Sequence, residues 1–331
     1  MARSTRSKSP ARSSKKSSTL SSTSTTTCGD VEGIVDELRK NFNAGVNKSY
    51  ESRIRNLEAL RSILIKGREK LCEALKADLN KCSVESYYTE MNLCEHEIQH
   101  MVDHLSSYMS PSPVSTDLLN IGGSSAIHPD PLGVVCVIGA WNYPVQLTLM
   151  PCVGAIAAGN VCLIKVPSDK YTASTSRALA ALCEEHLDPK VFRVVEGARE
   201  MTQSVLAQRY DKIFFTGGSF VGKMVAAAAP QNLTPTVLEL GGKSPVFITK
   251  SADLTIAARR ITWGAFMNAG QTCVRPDYCL VDEAVAEKLY EEVEKCAKQF
   301  YSEDPESSEF FGRVINEVRA ERDKCAGNKL G

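Results

Sequence analysis

Short apolar runs alternate with helical stretches through the middle of the chain, and this alternation constrains the fold more than any other feature. The runs, several of them rich in β-branched residues, lie at 134–138, 161–166, 191–195, 213–215, 237–240 and 246–248. Helical patterns separate them, notably at 173–186, 200–208 and 219–229. A repeated strand, helix, strand order predicts an α/β fold with a parallel sheet covered by helices on both faces. Ligands of such sheets bind at the carboxyl ends of the strands.

Two different segments precede this region. Apolar residues recur every three or four positions from residue 30 to about residue 107, which predicts helices that come before any long strand. Residues 1–27 are almost entirely Ser, Thr, Lys and Arg, so they cannot bury enough apolar surface to offset the entropy of ordering. We predict that residues 1–29 form a disordered basic tail, with an organellar transit peptide as the alternative.

Charge and cysteine content narrow the class of protein. The 331 residues include 39 basic and 39 acidic side chains, so the chain lacks the cationic surplus that a nucleic-acid-binding protein needs. Its most apolar stretch, 134–166, is interrupted by Asn142, Pro144 and Pro151, which predicts no transmembrane segment. The 12 cysteines form no Cys-x-x-Cys pair, and several lie in apolar runs, a pattern typical of reduced, buried thiols. We therefore predict a cytoplasmic protein.

Three residues stand where a covalent reaction could be assembled. Cys273 follows a helical run and Gly270, an arrangement that can expose a thiol at the end of an element; the alternative is a buried structural cysteine. Glu239 ends an apolar run before two glycines, where partial desolvation would suit it to act as a general base; the alternative is a carboxylate that caps the next turn. Asn142 follows the run 134–138, so its side-chain amide can donate to an oxyanion, unless it is simply a turn residue.

Two further features suggest contacts with an anionic or hydroxylated ligand. Lys165 lies at the end of a predicted strand, where its cation can bind a ribose hydroxyl or a phosphate, although many such lysines are simply solvated. Gly217, Gly218 and Ser219 join another strand to a helix, so main-chain N–H groups there can face an anion. This loop is not a Walker A motif, because Met224 stands where Ser or Thr would hold Mg²⁺.

A different class of enzyme is indicated by the H-E-x-x-H pattern at 96–100, which is typical of zinc hydrolases when it lies on a helix. Apolar residues such as Ile98 and Leu105 supply the buried face of that helix and leave the histidines largely on its other faces. The motif is also short and common by chance. We therefore predict no metal site and keep the zinc hydrolase as a rival hypothesis.

Five motifs, in this order and spacing, resemble the aldehyde dehydrogenase superfamily. They lie at 131–135, 141–144 (Trp-Asn-Tyr-Pro), 154–160, 239–245 (Glu-Leu-Gly-Gly-Lys-Ser-Pro) and 270–273 (Gly-Gln-Thr-Cys). The sequence around them is most similar to class 3, the group that includes fatty-aldehyde dehydrogenases, and the resemblance spans roughly residues 30–316. It implies N-terminal helices with a Rossmann-like domain for NAD or NADP at 30–240, and a partial α/β catalytic domain at 241–331.

The resemblance also implies a role for each candidate residue. Cys273 would attack the aldehyde carbon, Asn142 and the Cys273 main-chain N–H would hold the oxyanion, and hydride would pass to the nicotinamide. Glu239 would then activate water to hydrolyse the thioester and release a carboxylic acid. The residues expected to contact the cofactor are Trp141, Lys165, Gly217, Gly218, Ser219, Gly222 and Leu240. A complete family member would form a homodimer and act on a small-molecule aldehyde.

Three departures from the family pattern are visible. The family's Lys-Pro-Ser-Glu is lengthened after Lys165, which leaves the choice between NAD and NADP open. Gly218 and Phe220 replace a small hydroxyl residue and a glycine, and the bulky Phe220 is expected to crowd the start of the helix. The sequence ends at Gly331, before the family's Glu-x-Phe-Gly-Pro segment and C-terminal oligomerisation strand. The alternative hypothesis is therefore a truncated, catalytically inactive cofactor-binding or interaction protein.

Overall fold

The N-terminal part of the protein is helical. The computed structural model describes residues 28–167 and 172–321, and a short 3₁₀ turn leads into the first α-helices. These are α1 (Val31–Asn43), α2 (Tyr50–Lys66), α3 (Arg68–Leu79), α4 (Ser83–Ser86) and α5 (Asn92–Met109). The Ser49 side chain caps α2 by accepting a hydrogen bond from the Ser52 N–H, and Asn80 ends α3 in a left-handed conformation. The predicted helical segment is confirmed, whereas the predicted tail lies almost wholly outside the described residues.

A five-stranded parallel sheet forms the centre of the protein. A short antiparallel hairpin of β1 (Ser112–Val114) and β2 (Ser125–Ile127) precedes it. The strands of the sheet are β3 (Val134–Ile138), β4 (Val161–Lys165), β5 (Phe192–Val195), β6 (Lys212–Thr216) and β7 (Thr236–Glu239). The helices between them are α6 (Gln146–Ala157), α7 (Ala173–His186), α8 (Arg199–Leu206) and α9 (Ser219–Ala228). Every pairing in this sheet is parallel, which confirms the predicted α/β fold.

The order of the strands creates a place for a ligand. The spatial order is β5-β4-β3-β6-β7, so the chain runs outward from β3 to β5 and then returns to the other side of β3. The connections that leave β3 and β6 therefore diverge, and the crevice between them is where open α/β sheets bind ligands. Every residue of β3 and β4 is buried, because both are interior strands covered on both faces.

A smaller two-stranded sheet follows. β8 (Ser244–Ile248) pairs in parallel with β9 (Pro276–Val281), and α10 (Leu254–Phe266) and α11 (Ala286–Tyr301) accompany them. The prediction that the run 246–248 continues the series of the main sheet is wrong, because this strand pairs with β9, which periodicity did not predict. A parallel pair of strands requires a long crossover connection, and this crossover carries both α10 and Cys273.

Two hydrophobic clusters correspond to these two sheets. The larger combines the N-terminal helices with the five-stranded sheet, and Ile315 packs into it. The smaller contains Ile248, Ala258, Leu289 and Cys296. On this basis we propose a domain boundary near residue 240. All ten cysteines from Cys72 to Cys296 are free, and no helix within residues 28–167 and 172–321 is both long and apolar enough to cross a membrane.

Candidate active site

A cleft of about 860 Å³ opens at the carboxyl ends of the sheet strands. Its walls come from segments that are distant in sequence, at 140–142, 216–218, 240–243, 265–277 and 311–319. Six predicted site residues line it: Trp141, Asn142, Gly217, Gly218, Leu240 and Cys273. The other four are not among its lining residues: Lys165, Ser219, Gly222 and Glu239. The fold thus brings the predicted nucleophile, the predicted oxyanion donor and part of the predicted cofactor loop into one cavity.

Cys273 reaches this cleft through an unusual turn. After α10, the residues Asn268, Ala269 and Gly270 take φ values of 55°, 51° and 74°. Left-handed backbone is costly for residues other than glycine, so the surrounding structure must hold this turn in place. Cys273 itself is half-buried in the cleft wall, whereas cysteines such as Cys136 are fully buried. Cys273 is therefore not a fully buried structural cysteine, and its catalytic role stays a prediction.

Asn142 is tied to the loop that carries Cys273. It follows β3, and its side-chain Nδ2 donates a hydrogen bond to the Gln271 carbonyl at 2.9 Å. Tyr143 adds a second link, because its hydroxyl lies 2.6 Å from the Thr272 hydroxyl. A primary amide has two N–H donors, so one N–H of Asn142 is fixed by Gln271 and the second can donate to a ligand in the cleft. This arrangement is suited to an oxyanion donor.

A buried polar network, which the sequence analysis missed, supports Asn142. The Lys81 ammonium donates to Glu90 at 2.6 Å and to the main-chain carbonyl of Asn142 at 2.9 Å. The side chains of Lys81 and Glu90 are both 0% exposed. The other Glu90 oxygen accepts the N–H groups of Val145 and Gln146 at 2.8 and 3.1 Å, and so satisfies the start of α6. Neither Lys81 nor Glu90 belongs to a recognisable motif, so sequence patterning offered no signal for them.

Asn268 donates to the same carbonyl. Its Nδ2 lies 2.7 Å from the Asn142 oxygen, and its main-chain N–H donates to the Glu85 carboxyl at 2.7 Å. Burial raises the pKa of Glu85, although Lys81 and the Asn268 N–H act in the opposite direction. Asn268 is 1% exposed, and asparagine tolerates left-handed backbone better than most residues. Its backbone conformation and its side-chain hydrogen bond therefore explain why asparagine occupies this position.

Two glycines allow neighbouring segments to pack closely around the cleft. A β-carbon on Gly222 would lie 2.7 Å from Leu240, well inside van der Waals contact. A β-carbon on Gly242 would overlap the Cys273 carbonyl oxygen. A side chain at Gly242 would therefore push the Cys273 loop away from the β7 end, whereas one at Gly222 would displace the Leu240 side chain. By contrast, a β-carbon on Gly218 would meet no atom within 4 Å.

The first turn of α9 lies beside the cleft. Gly218 is its N-cap residue and has no side chain to satisfy the first helical N–H groups. Thr216, two residues before it, lines the cleft, and its buried hydroxyl has no hydrogen-bond partner among the described residues. Phe220 is 79% exposed, and its crowding of the start of α9 stays a prediction. Gly217 and Gly218 line the crevice between β3 and β6, and glycine offers only main-chain groups there.

Two predicted residues occupy environments that differ from expectation. Glu239 is exposed rather than partly desolvated, because it ends β7, an edge strand of the sheet. Lys165 is 6% exposed, so the solvated alternative is wrong; it ends β4, an interior strand. The lengthened segment that follows Lys165 continues into residues 168–171, which lie outside the described residues.

The H-E-x-x-H pattern lies on an exposed face of α5. His96, His100 and His104 are all exposed. The His100 Nε2 is 2.9 Å from the Tyr108 hydroxyl, and the His104 Nδ1 is 2.8 Å from the His100 carbonyl. Across the part of the chain that the structure describes, no group of three or more His, Cys, Asp or Glu side chains could hold a metal ion. The geometry therefore gives the zinc-hydrolase hypothesis no support.

Comparison with known proteins points to one family. The model of the aldehyde dehydrogenase family matches residues 2–326. The dimeric NADP-preferring aldehyde dehydrogenase of Canis lupus familiaris is 41% identical over 292 residues, which are 88% of this chain and 64% of that protein. Aldehyde dehydrogenase family 3 member A2 of Rattus norvegicus is 41% identical over 286 residues, 86% of this chain and 59% of that protein. The chain thus spans somewhat less than two thirds of the length of these relatives.

A solved structure agrees with these relatives. The substrate-bound state of Staphylococcus aureus AldH superposes with a TM-score of 0.84 and 36% sequence identity. The match covers 88% of this chain and 63% of that one. The structural neighbour and the sequence relatives therefore agree.

Proposed function

The chain belongs to the aldehyde dehydrogenase family, and from this premise we propose that it contributes the nucleophile, the oxyanion donor and the cofactor site for oxidation of an aldehyde to a carboxylic acid. The proposed cofactor is NAD or NADP. The observation that carries the proposal is the hydrogen bond from Asn142 to the Gln271 carbonyl, because it holds the predicted oxyanion donor beside the loop of Cys273 in one cleft.

The residues around the crevice fit a dinucleotide. Gly222 lets α9 pack closely on Leu240, and the bare Gly218 N-cap leaves the first helical N–H groups open to a pyrophosphate. Thr216 and Trp141 line the same cavity. When bound there, NAD or NADP supplies a hydride acceptor. Ser219 in the first turn and Lys165 at the end of β4 complete the set of proposed contacts.

Cys273 is the proposed nucleophile. Its thiolate adds to the aldehyde carbon, so that a C–S bond forms and the carbonyl oxygen becomes an oxyanion. The second N–H of Asn142 and the Cys273 main-chain N–H donate to that oxygen as its charge develops. Loss of hydride from the same carbon leaves a thioester on Cys273.

Glu239 is the proposed base for the last step. It accepts a proton from water as the water oxygen attacks the thioester carbon, the C–S bond breaks, and Cys273 leaves as thiolate. Glu239 adjoins Leu240, a residue of the cleft wall, and its exposed carboxylate has direct access to solvent. Solvent access lets the carboxylate lose its proton again before the next cycle.

Aldehyde-dependent formation of NADH or NADPH tests this proposal. We expect the intact protein to turn over and the Cys273→Ala variant to be inactive; normal activity without the thiol would overturn the mechanism. Glu239→Gln should still be acylated at Cys273 but should retain the thioester, which intact mass detects. A chain that cofactor stabilises against heating, but that oxidises no aldehyde, would favour the non-catalytic alternative.

Assembly and compartment are parts of the same proposal. The Canis lupus familiaris relative is named as dimeric, and we propose a homodimer here, which light scattering of the purified protein would test. The ten free cysteines are the reason to propose the reducing cytoplasm as its location, and imaging of the tagged chain would test this.

A further inference from the structure

We propose that Lys81 and Asn268 are positioning residues, which together set the direction of the Asn142 side-chain amide. The inference rests on the proposed function, because it concerns the same oxyanion. The observation behind it concerns one atom, the main-chain carbonyl oxygen of Asn142. This oxygen accepts a hydrogen bond from Lys81 Nζ at 2.9 Å and from Asn268 Nδ2 at 2.7 Å.

These two donors restrict the movement of Asn142. A carbonyl oxygen has two lone pairs, and both are engaged here. The Asn142 side chain is held separately by the Gln271 carbonyl at 2.9 Å. The main-chain carbonyl and the side-chain amide of Asn142 are thus both held by hydrogen bonds. The second N–H of that amide therefore has a direction that the protein sets before any substrate binds. A donor fixed in advance needs no reorganisation when negative charge develops on the substrate oxygen.

Lys81 is buried and its ammonium makes three contacts. It donates hydrogen bonds to the Glu90 carboxylate at 2.6 Å and to the Asn142 main-chain carbonyl at 2.9 Å, and it lies over the Tyr143 ring, whose centroid is 4.1 Å away. Buried ion pairs can often be replaced by apolar residues with little loss of stability, so the burial of this pair does not by itself indicate a stabilising role. What the pair does provide is a fixed distance between the α3–α4 loop, the loop after β3 and the start of α6.

Asn268 lies in a different segment, the turn between α10 and Cys273. Its main-chain N–H is held by Glu85 at 2.7 Å, and its φ is 55°. Glycine adopts this backbone conformation without strain. The variant Asn268→Gly therefore removes the side-chain donor to Asn142, together with the longer 3.3 Å hydrogen bond from the same Nδ2 to the Gln271 carbonyl. Its main chain can keep the turn and the Glu85 hydrogen bond.

Two reactions of Cys273 separate oxyanion stabilisation from access to the thiol. With p-nitrophenyl acetate, the thiolate attacks the ester carbonyl, a C–S bond forms, the aryl C–O bond breaks and p-nitrophenolate leaves. This acylation passes through an oxyanion. With iodoacetamide, the same sulfur displaces iodide and no oxyanion forms. Neither reaction uses NAD or NADP, and peptide mass spectrometry resolves Cys273 from the exposed Cys279.

We expect Lys81→Met and Asn268→Gly each to slow acylation of Cys273 by about 10- to 100-fold and to leave its alkylation unchanged. Arg68→Met is the matched control: it removes a cation that lies 3.4 Å from Glu95 and 4.3 Å from the Tyr87 ring centroid, away from Asn142. That variant should change neither rate. If Lys81→Met does not fold, Asn268→Gly decides the question.

Three results would count against a proposal. Unchanged acylation in Asn268→Gly would overturn the positioning role and leave the proposed function standing. Equal losses of acylation and alkylation would also overturn it, in favour of a purely structural role. A wild-type Cys273 that accepts neither reagent would overturn the proposed function itself.

Discussion

The side-chain amide of Asn142 donates a hydrogen bond to the Gln271 carbonyl at 2.9 Å, although the two residues are 129 positions apart in the chain. Asn142 follows a strand of the five-stranded sheet, and Gln271 belongs to the crossover between the strands of the smaller sheet. The reactive groups therefore meet where the two sheets adjoin. Small movements of either part should change the reactivity of Cys273 more than they change the stability of the fold.

Replacing Asn142 tests the oxyanion donor directly. Asn142→Ala removes both the anchor to Gln271 and the second N–H, so we expect acylation of Cys273 by p-nitrophenyl acetate to fall by about 10²- to 10³-fold. Asn120→Ala, at an exposed position of the hairpin loop, is the control and should leave the rate unchanged. A wild-type rate in Asn142→Ala would show that this amide is not the donor.

Two adjacent glycines near Cys273 provide a matched pair of substitutions, one expected to disturb the structure and one not. A β-carbon on Gly242 would overlap the Cys273 carbonyl oxygen, whereas one on Gly241 would meet no atom within 4 Å. We expect Gly242→Ala to lower the free energy of unfolding by about 1–3 kcal/mol and to alter the alkylation rate of Cys273. Gly241→Ala should change neither. Urea denaturation and timed iodoacetamide labelling measure the two effects, and identical behaviour of the two variants would contradict the close approach.

The proposed cofactor-binding segment at 217–222 offers a second pair of glycine substitutions. Gly222→Ala displaces the side chain of Leu240, a residue of the cleft wall, so we expect the rise in melting temperature that NAD or NADP causes to be reduced. Gly218→Ala places a methyl group in open space and adds no side-chain acceptor for the first helical N–H groups, so the rise should be retained. A full cofactor response in Gly222→Ala would argue against this crevice as the dinucleotide site.

The buried thiol of Cys183 makes the free energy of unfolding fall as the pH rises through the alkaline range. Burial raises the pKa of Cys183 from the ordinary 9.0 to about 12. Between these values the unfolded chain has lost a proton that the folded chain still holds, so the stability from this thiol is complete below about pH 9 and is lost as the pH rises toward 12. We expect the free energy of unfolding to fall by about 2 kcal/mol more in the wild type than in Cys183→Ala between about pH 8 and about pH 10.5. Equal losses in urea titrations would refute this.

Metal removal tests the zinc-hydrolase hypothesis. The three histidines on α5 are exposed, and His100 is hydrogen-bonded to Tyr108. We expect EDTA to leave both the melting temperature and any turnover unchanged, and metal analysis of the purified protein to find no stoichiometric zinc. Loss of stability on chelation, reversed by zinc and absent in His100→Ala, would revive that hypothesis.

Local patterns predicted most of the elements but not all of their partners. The helix 173–186 was predicted with the bounds that the structure has, and the strand 134–138 likewise. The strand at 246–248 was predicted as an element, yet it pairs with β9 and not with the main sheet. Periodicity reports whether a segment is helical or extended, but the choice of a pairing partner depends on segments tens of residues away.

Patterns along the chain predict the strands and helices of the main sheet, the family and the residue types able to react, because periodicity and motif spacing are local properties. Three features follow only from packing: Glu239 is exposed, Lys165 is buried, and Lys81 and Asn268 converge on the Asn142 main-chain carbonyl. Burial and hydrogen-bond partnership arise only when distant segments pack against one another, and no pattern along the chain records which segments those are.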